Sequence, residues 1–201
     1  LVGDHKQLPA VVLQFEKDSK VHDPALHAIG LTDRRNSFFE RLYHLQQIHP
    51  MEGIVAMLNR QGRMHPAISD FANRHFYGGR LGIVPVPHQT AELEFGLCPT
   101  AETHPLQYFV AHTRTGFMAS HTPPAADSNK INREEAHITA SLVQSIHALC
   151  QTNLLPFHAK ERIGIIVPFR NQIALIRHEL RKMDIPEADE ITIDTVERYQ
   201  G

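Results

Sequence analysis

Two short stretches of the chain gather side chains suited to phosphate chemistry. The first, Leu1-Val-Gly-Asp-His-Lys-Gln-Leu-Pro-Ala10, runs from an apolar lead through Gly3-Asp4 to Gln7 and a proline stop. Such an order is expected where a buried parallel strand ends in a loop, and in nucleotide-hydrolysing sheets ligands sit beyond those strand ends. The amide of Gln7 both donates and accepts, so it can engage a γ-phosphate and the attacking water together. The second stretch, Gln61-Gly-Arg-Met-His-Pro66, sets Arg63 and His65 beside a proline-fixed turn. Arg63 is a rigid fork of donors matched to phosphate oxygens, and across a cleft from the phosphate it would act as an arginine finger. The competing readings are a polar loop for Gln7 and a carboxylate-paired surface arginine for Arg63. His65 either holds the turn or lies near the nucleic acid, and the structural role is the favoured one.

Two further stretches suit a nucleic-acid strand. In Gly164-Ile-Ile-Val-Pro-Phe-Arg-Asn-Gln172 a strand end leads into Pro168 and an aromatic. Phe169 can stack on a base, a contact worth about 1–3 kcal/mol, or pack in a core. Arg170 and Asn171 can meet phosphate, helped by free N–H groups at the next helix's start. In Thr195-Val-Glu-Arg-Tyr-Gln-Gly201 the Thr195 hydroxyl at a strand end can bond a phosphate, and Gln200-Gly201 would begin a loop linking strand and nucleotide.

The elements that must position these residues can be read from periodicity and caps. Residues 1–10 end a strand, and residues 16–36 are polar and irregular. Ser37 or Asn36 caps a helix with apolar residues at 38, 39, 42 and 45. A short strand follows within residues 54–60. Pro66 opens a helix whose face Ile68, Phe71, Ala72, His75 and Phe76 should pack inward, and Gly78-Gly79 ends it. Residues 82–106 read as loop with short strands, Gln107–His112 as a strand, and 113–131 as a flexible loop. Asn132 with Glu135 is a capping-box variant ahead of a helix bearing Leu142, Val143, Ile146 and Leu149 on one face. Ile163–Pro168 reads as a strand buried on both faces. Asn171 caps the following helix, with Ile173, Ile176, Leu180 and Met183 inward, and Ile191–Val196 is another strand. Strand, helix, strand, helix, strand predicts an α/β fold with a parallel sheet flanked by helices.

Composition narrows the classes. The chain has 201 residues, 42% hydrophobic and 21% charged, enough for a sizeable core and too ordered in composition for wholesale disorder. Its net charge of −2 gives no global pull on polyanions, so nucleic-acid binding must come from a local groove. Cys98 and Cys150 stand far apart, which argues against a disulfide framework and fits a reducing compartment, the cytoplasm in a bacterium. No apolar run approaches the roughly 20 residues of a spanning helix, so no membrane association is expected. The 15 histidines show no His-Glu-x-x-His spacing, and no metal site is expected among them. The chain reads as a piece of a larger protein.

The four stretches, in this order and spacing, closely resemble signature motifs of superfamily 1 helicases, in the branch with the nonsense-mediated-decay helicases and the replication-linked helicase-nucleases. Ser37-Phe-Phe-Glu-Arg-Leu42, Phe71 to Leu81 and Asn132-Arg-Glu-Glu-Ala136 agree. The resemblance implies a RecA-like, P-loop NTPase fold: residues 1 to about 50 as the tail of a first RecA-like domain, and residues from 51 onward as most of a second. It implies an ATP-hydrolysing enzyme that translocates on single strands and separates duplexes, using ATP and Mg²⁺, in DNA replication or repair. DNA is expected over RNA, with an RNA helicase or a degenerate, non-catalytic binding module as alternatives.

Carried over by residue, the resemblance makes Gln7 the γ-phosphate sensor and Arg63 the arginine finger, with Asp4, Gly62 and Gln200 also on the nucleotide side. Val167, Pro168, Phe169, Arg170 and Thr195 fall to the single strand. Three positions depart from the pattern. Gly62 stands where the family has an adenine-stacking Tyr, Val167 where it has Thr, and Glu197 where it has Asp. The 201 residues contain neither a Gly-x-x-x-x-Gly-Lys-Ser/Thr loop nor an acidic Asp-Glu pair on a strand end to hold Mg²⁺, so they are expected to hold half of an active site, inactive alone.

Overall fold

The computed structural model describes residues 1–8, 12–92, 95–121 and 130–199. The chain divides into two compact units, Leu1–Gln89 and Thr90–Gly201.

The first unit carries helices α1 (Glu16–Ser19), α2 (Pro24–Ala28) and α3 (Phe38–Ile48), strand β1 (Arg60–Gln61), helix α4 (Pro66–Phe76), strand β2 (Gly82–Ile83) and the start of α5 (Pro87–Thr90). Its helix starts follow the sequence. The Ser37 hydroxyl accepts from Glu40 N, and Pro66 occupies the first turn of α4. Gly78 and Gly79, at φ +59° and +73°, turn the chain after α4 as only glycine does readily.

Three expectations fail here. Residues 1–8 are a turn, not a strand, because no neighbouring strand pairs with them among the described residues. The strand expected within 54–60 is instead two residues, Arg60 and Gln61, parallel to Gly82 and Ile83. Residues 16–36 are ordered, not irregular. Asp33, buried, takes ion pairs from Arg35 at 2.8 Å and Lys20 at 3.1 Å, and the Arg35 hydrogen bonds hold its carboxyl far below the usual carboxylate range. Asp23 caps α2.

The apolar faces of α3 and α4 also differ from expectation. Val21 is the only buried hydrophobic residue of this unit among the described residues, while Phe38, Ile68, Phe71 and Phe76 are all exposed. Caps and local hydrogen bonds start these helices; Phe39 and Leu45 of α3 are half-buried, whereas Ile68, Phe71 and Phe76 leave the apolar face of α4 unpacked.

The second unit carries α6 (Pro105–His112), α7 (Arg133–Thr152), α8 (Ala159–Arg162), β3 (Gly164–Val167), α9 (Arg170–Lys182), a 3₁₀ turn (Ala188–Glu190), β4 (Thr192–Thr195) and α10 (Val196–Tyr199). β3, α9 and β4 form a parallel crossover with Gly164 opposite Thr192 and Val167 opposite Thr195. The core gathers Ala136, Ala140 and Val143 of α7, Val167 of β3, Ile176 and Leu180 of α9, and Ile191 and Ile193 around β4. The small Ala136 and Ala140 are fully buried, and α7 packs closely on α9. Only this two-stranded parallel sheet and the β1–β2 pair form among the described residues.

Three local corrections belong to this unit. Residues 107–112 form a helix rather than a strand. Pro105 presets its first turn, and Tyr108 and His112, one turn apart, stack at 4.1 Å. The strand β3 is not buried on both faces, since Ile166 is 54% exposed. The residue preceding α9 is Phe169, not Asn171, because the backbone stays extended through Phe169. Asn132 caps α7 as expected, accepting from Glu135 N.

Candidate functional site

The loop of residues 1–8 is built around Asp4. Its Oδ1 accepts from Lys6 N at 3.0 Å, and its Oδ2 accepts from Gln7 Nε2 at 2.9 Å and from the Tyr77 hydroxyl at 2.6 Å. The carboxylate is thus fully engaged in orienting Gln7 and tethering the loop to the C-terminal end of α4. Gly3 is there for space, as a Cβ would lie 2.7 Å from the Phe39 ring. His5 stacks on Tyr43 of α3 at 4.4 Å. Burial works against the Asp4 charge, but the hydrogen bonds from Tyr77, Lys6 and Gln7 outweigh it and lower its pKa. Burial, and then Asp4, push the Tyr77 phenol up to about 12.

This pair yields a titration prediction. Asp4→Asn should bring the Tyr77 phenol down from about 12, yet leave it above the ordinary 10.0, because burial is the larger cause. Ultraviolet absorbance titration, with Tyr77→Phe as the blank, reads it. The linkage sign is fixed by the raised value. The protonated phenol stabilises the fold fully below the unfolded value of about 10, and that contribution fades as pH rises through about 12. For Asp4 the lowered value means stabilisation above the usual carboxylate pKa of about 3.9, lost as pH falls below it.

The loop bearing Arg63 lies between β1 and α4. The Gln61 side chain folds over it: Oε1 accepts from Arg63 N at 2.9 Å and Met64 N at 2.7 Å, and Nε2 donates to Met64 O at 2.8 Å. His88 Nε2 donates to Gly62 O at 2.7 Å. Gln89 Nε2 donates to Gln61 O and Met64 O, both at 3.0 Å. Gln89 is fully buried, and its Oε1 has no hydrogen-bond partner among the described residues. The amide cannot relieve this by flipping, because both of its partners are carbonyl acceptors. His65 holds the turn as expected, its Nδ1 accepting from Ala67 N at 3.1 Å at the start of α4.

The Arg63 side chain is exposed, and it makes no ion pair among the described residues. Gly62 is exposed with a negative φ, and a Cβ there would meet only Val84 at 4.0 Å. The backbone thus has room for a side chain, and none is present to stack on a base. Gln7 and Arg63 sit by opposite ends of α4, whose 11 residues span about 16 Å, and do not touch.

In the second unit the β3–β4 register brings the strand-binding candidates together at one carboxyl edge. Val167 lies beside Thr195, with Pro168, Phe169 and Arg170 immediately beyond. Phe169 is 43% exposed, which disfavours the core reading, and Lys130 Nζ lies 5.1 Å from its ring centroid. Val167 is buried in the core, which leaves its side chain unavailable at this edge. Thr195 is buried, and the Glu197 backbone N–H, followed by the Thr195 side chain, lowers the Glu197 pKa. Gln172 clamps the start of α7, accepting from Asn132 N and donating to Asn132 O, each at 2.8 Å. Gln200 lies outside the described residues.

A family model described as an AAA domain matches residues 34–201. The chain belongs to this AAA domain family of superfamily 1 helicases. Along its whole length it is 29% identical to the "Regulator of nonsense transcripts 1 homolog" of Arabidopsis thaliana, of which it covers 14%. It is 30% identical to the "DNA replication ATP-dependent helicase/nuclease JHS1" of the same plant, covering 13%, and 27% identical to the "ATP-dependent helicase upf1" of Schizosaccharomyces pombe, covering 19%. The chain therefore spans about a fifth or less of these relatives. Sequence reasoning missed Tyr77, His88, Gln89, Lys130 and Gln172 in this AAA domain. Tyr77 precedes the helix-ending glycines, yet nothing local pairs it with Asp4, 73 residues away.

Proposed function

We propose that this chain supplies the γ-phosphate sensor, the arginine finger and part of the single-strand track of an ATP-dependent DNA helicase. The observation that carries the reading is Arg63: its loop is held by three side chains while its guanidinium is exposed and unpaired among the described residues. A guanidinium so placed fits phosphate oxygens. Gln7, turned by Asp4, orients the attacking water against the γ-phosphate, and Arg63 stabilises the charge on the transferring phosphoryl group. Asp4, engaged by three donors, orients Gln7 rather than meeting the nucleotide. Residues 1 to about 50 close one RecA-like domain, and residues from 51 onward form most of the second.

Mg²⁺ accompanies ATP in such a reaction. Among the described residues no group of three or more His, Cys, Asp or Glu side chains is placed to hold a metal ion. Turnover is coupled to movement along a strand that passes Pro168, Phe169 and Arg170. DNA is the proposed strand, supported by the relatives named for DNA replication; replication and repair are the proposed settings. The free thiols of Cys98 and Cys150 support a reducing compartment such as the bacterial cytoplasm.

A strand-displacement assay of the full-length protein tests this, with matched DNA and RNA duplexes bearing single-stranded tails. ATP-dependent displacement of the DNA duplex is expected. Displacement of RNA alone would reassign the substrate. ATP-independent binding without displacement would favour a non-catalytic module, the reading suggested by Gly62 and by the buried Val167.

A further inference from the structure

We infer that Gln89 and His88 are positioning residues for the arginine finger: from α5 they hold the backbone carbonyls on both sides of Arg63 and so fix where its guanidinium points. The inference rests on the reading of Arg63 as the finger. Gln89 Nε2 bridges Gln61 O and Met64 O, which flank Arg63, and His88 Nε2 holds Gly62 O between them. With the Gln61 amide on Arg63 N and Met64 N, the loop has few backbone torsions left to move. The two residues reach it because β2 pairs with β1, after which Pro85 and Pro87 turn the chain back beneath the loop. Gln89 is fully buried and leaves its own Oε1 unpaired among the described residues. A leucine or methionine would fill the same space without an orphaned oxygen, so what the amide adds is its two donated hydrogen bonds.

A finger acts only where the transition-state charge develops, so misplacing it lowers kcat more than it changes KM. A small displacement of a reacting group costs on the order of 10²-fold. The test is oligonucleotide-stimulated ATP hydrolysis by the full-length protein, using Arg63→Ala, Gln89→Met, His88→Leu, His88→Gln and the Gln89→Met/Arg63→Ala double variant. Gln89→Met and His88→Leu are expected to lower kcat by roughly 10–100-fold with KM for ATP nearly unchanged. His88→Gln, which keeps a donor at similar reach, is expected to recover most of the rate. The double variant should be no slower than Arg63→Ala alone, because a residue acting through Arg63 has nothing further to lose.

A slow Arg63→Ala beside normal His88→Leu and Gln89→Met rates would overturn the positioning role, as would a double variant slowed by both losses in full. Arg63→Ala at the normal rate would instead overturn the finger reading itself. Should Gln89→Met fail to fold, exposed His88 still decides: equal rates for His88→Leu and His88→Gln overturn the inference, and loss with rescue supports it.

Discussion

Replacing Arg63 with alanine in the full-length protein is expected to slow ATP hydrolysis by roughly 10³–10⁵-fold, the range an arginine finger contributes in phosphoryl transfer. The effect should be large because the guanidinium stabilises charge that exists only in the transition state. ATP affinity should change far less, since the loop that carries it stays folded on Gln61, His88 and Gln89. Arg63→Lys keeps the charge but loses the planar fork, so a partial recovery is expected. Steady-state ATPase assays read both variants, and an alanine variant hydrolysing ATP at the normal rate would remove Arg63 from the reaction.

The second large effect concerns stability. Leu180→Ala should cost about 2–5 kcal/mol, the usual range for emptying a fully buried leucine site. Leu180 is 1% exposed on α9, within a core that also holds Ile176, Val143 and Ile193. Hydrogen exchange of the α7, α9 and β4 amides measures the loss, and protection in the first unit should stay as it was. Unchanged protection of α9 would show that Leu180 does not support this core.

Much of the second unit was legible in advance. Ile176 and Leu180 follow the helical period, Asn132 with Glu135 announces the start of α7, and the Ile163–Val167 run marks β3. These are signals carried within a few residues. Gln107–His112 misled because its apolar run suits either state, and the proline before it and the Tyr108–His112 pair decided for helix. The apolar faces of α3 and α4 misled differently: their period is helical and the helices exist, yet Phe38 and Phe71 are exposed. Periodicity says which side of a helix is apolar, not whether another layer covers it.

The sequence by itself determined the family, the order of its four motifs and the helix starts at Ser37, Pro66 and Asn132. Those depend on neighbours within a turn or on motif spacing, both of which are written along the chain. Only the tertiary structure decided that Asp4 belongs to Tyr77 and that Val167 stands beside Thr195. It alone showed that the Arg63 loop rests on two side chains 25 to 28 residues downstream. Donors and acceptors so far apart carry no common period or cap signal. Their pairing follows from how β1, β2 and α5 fold back on one another.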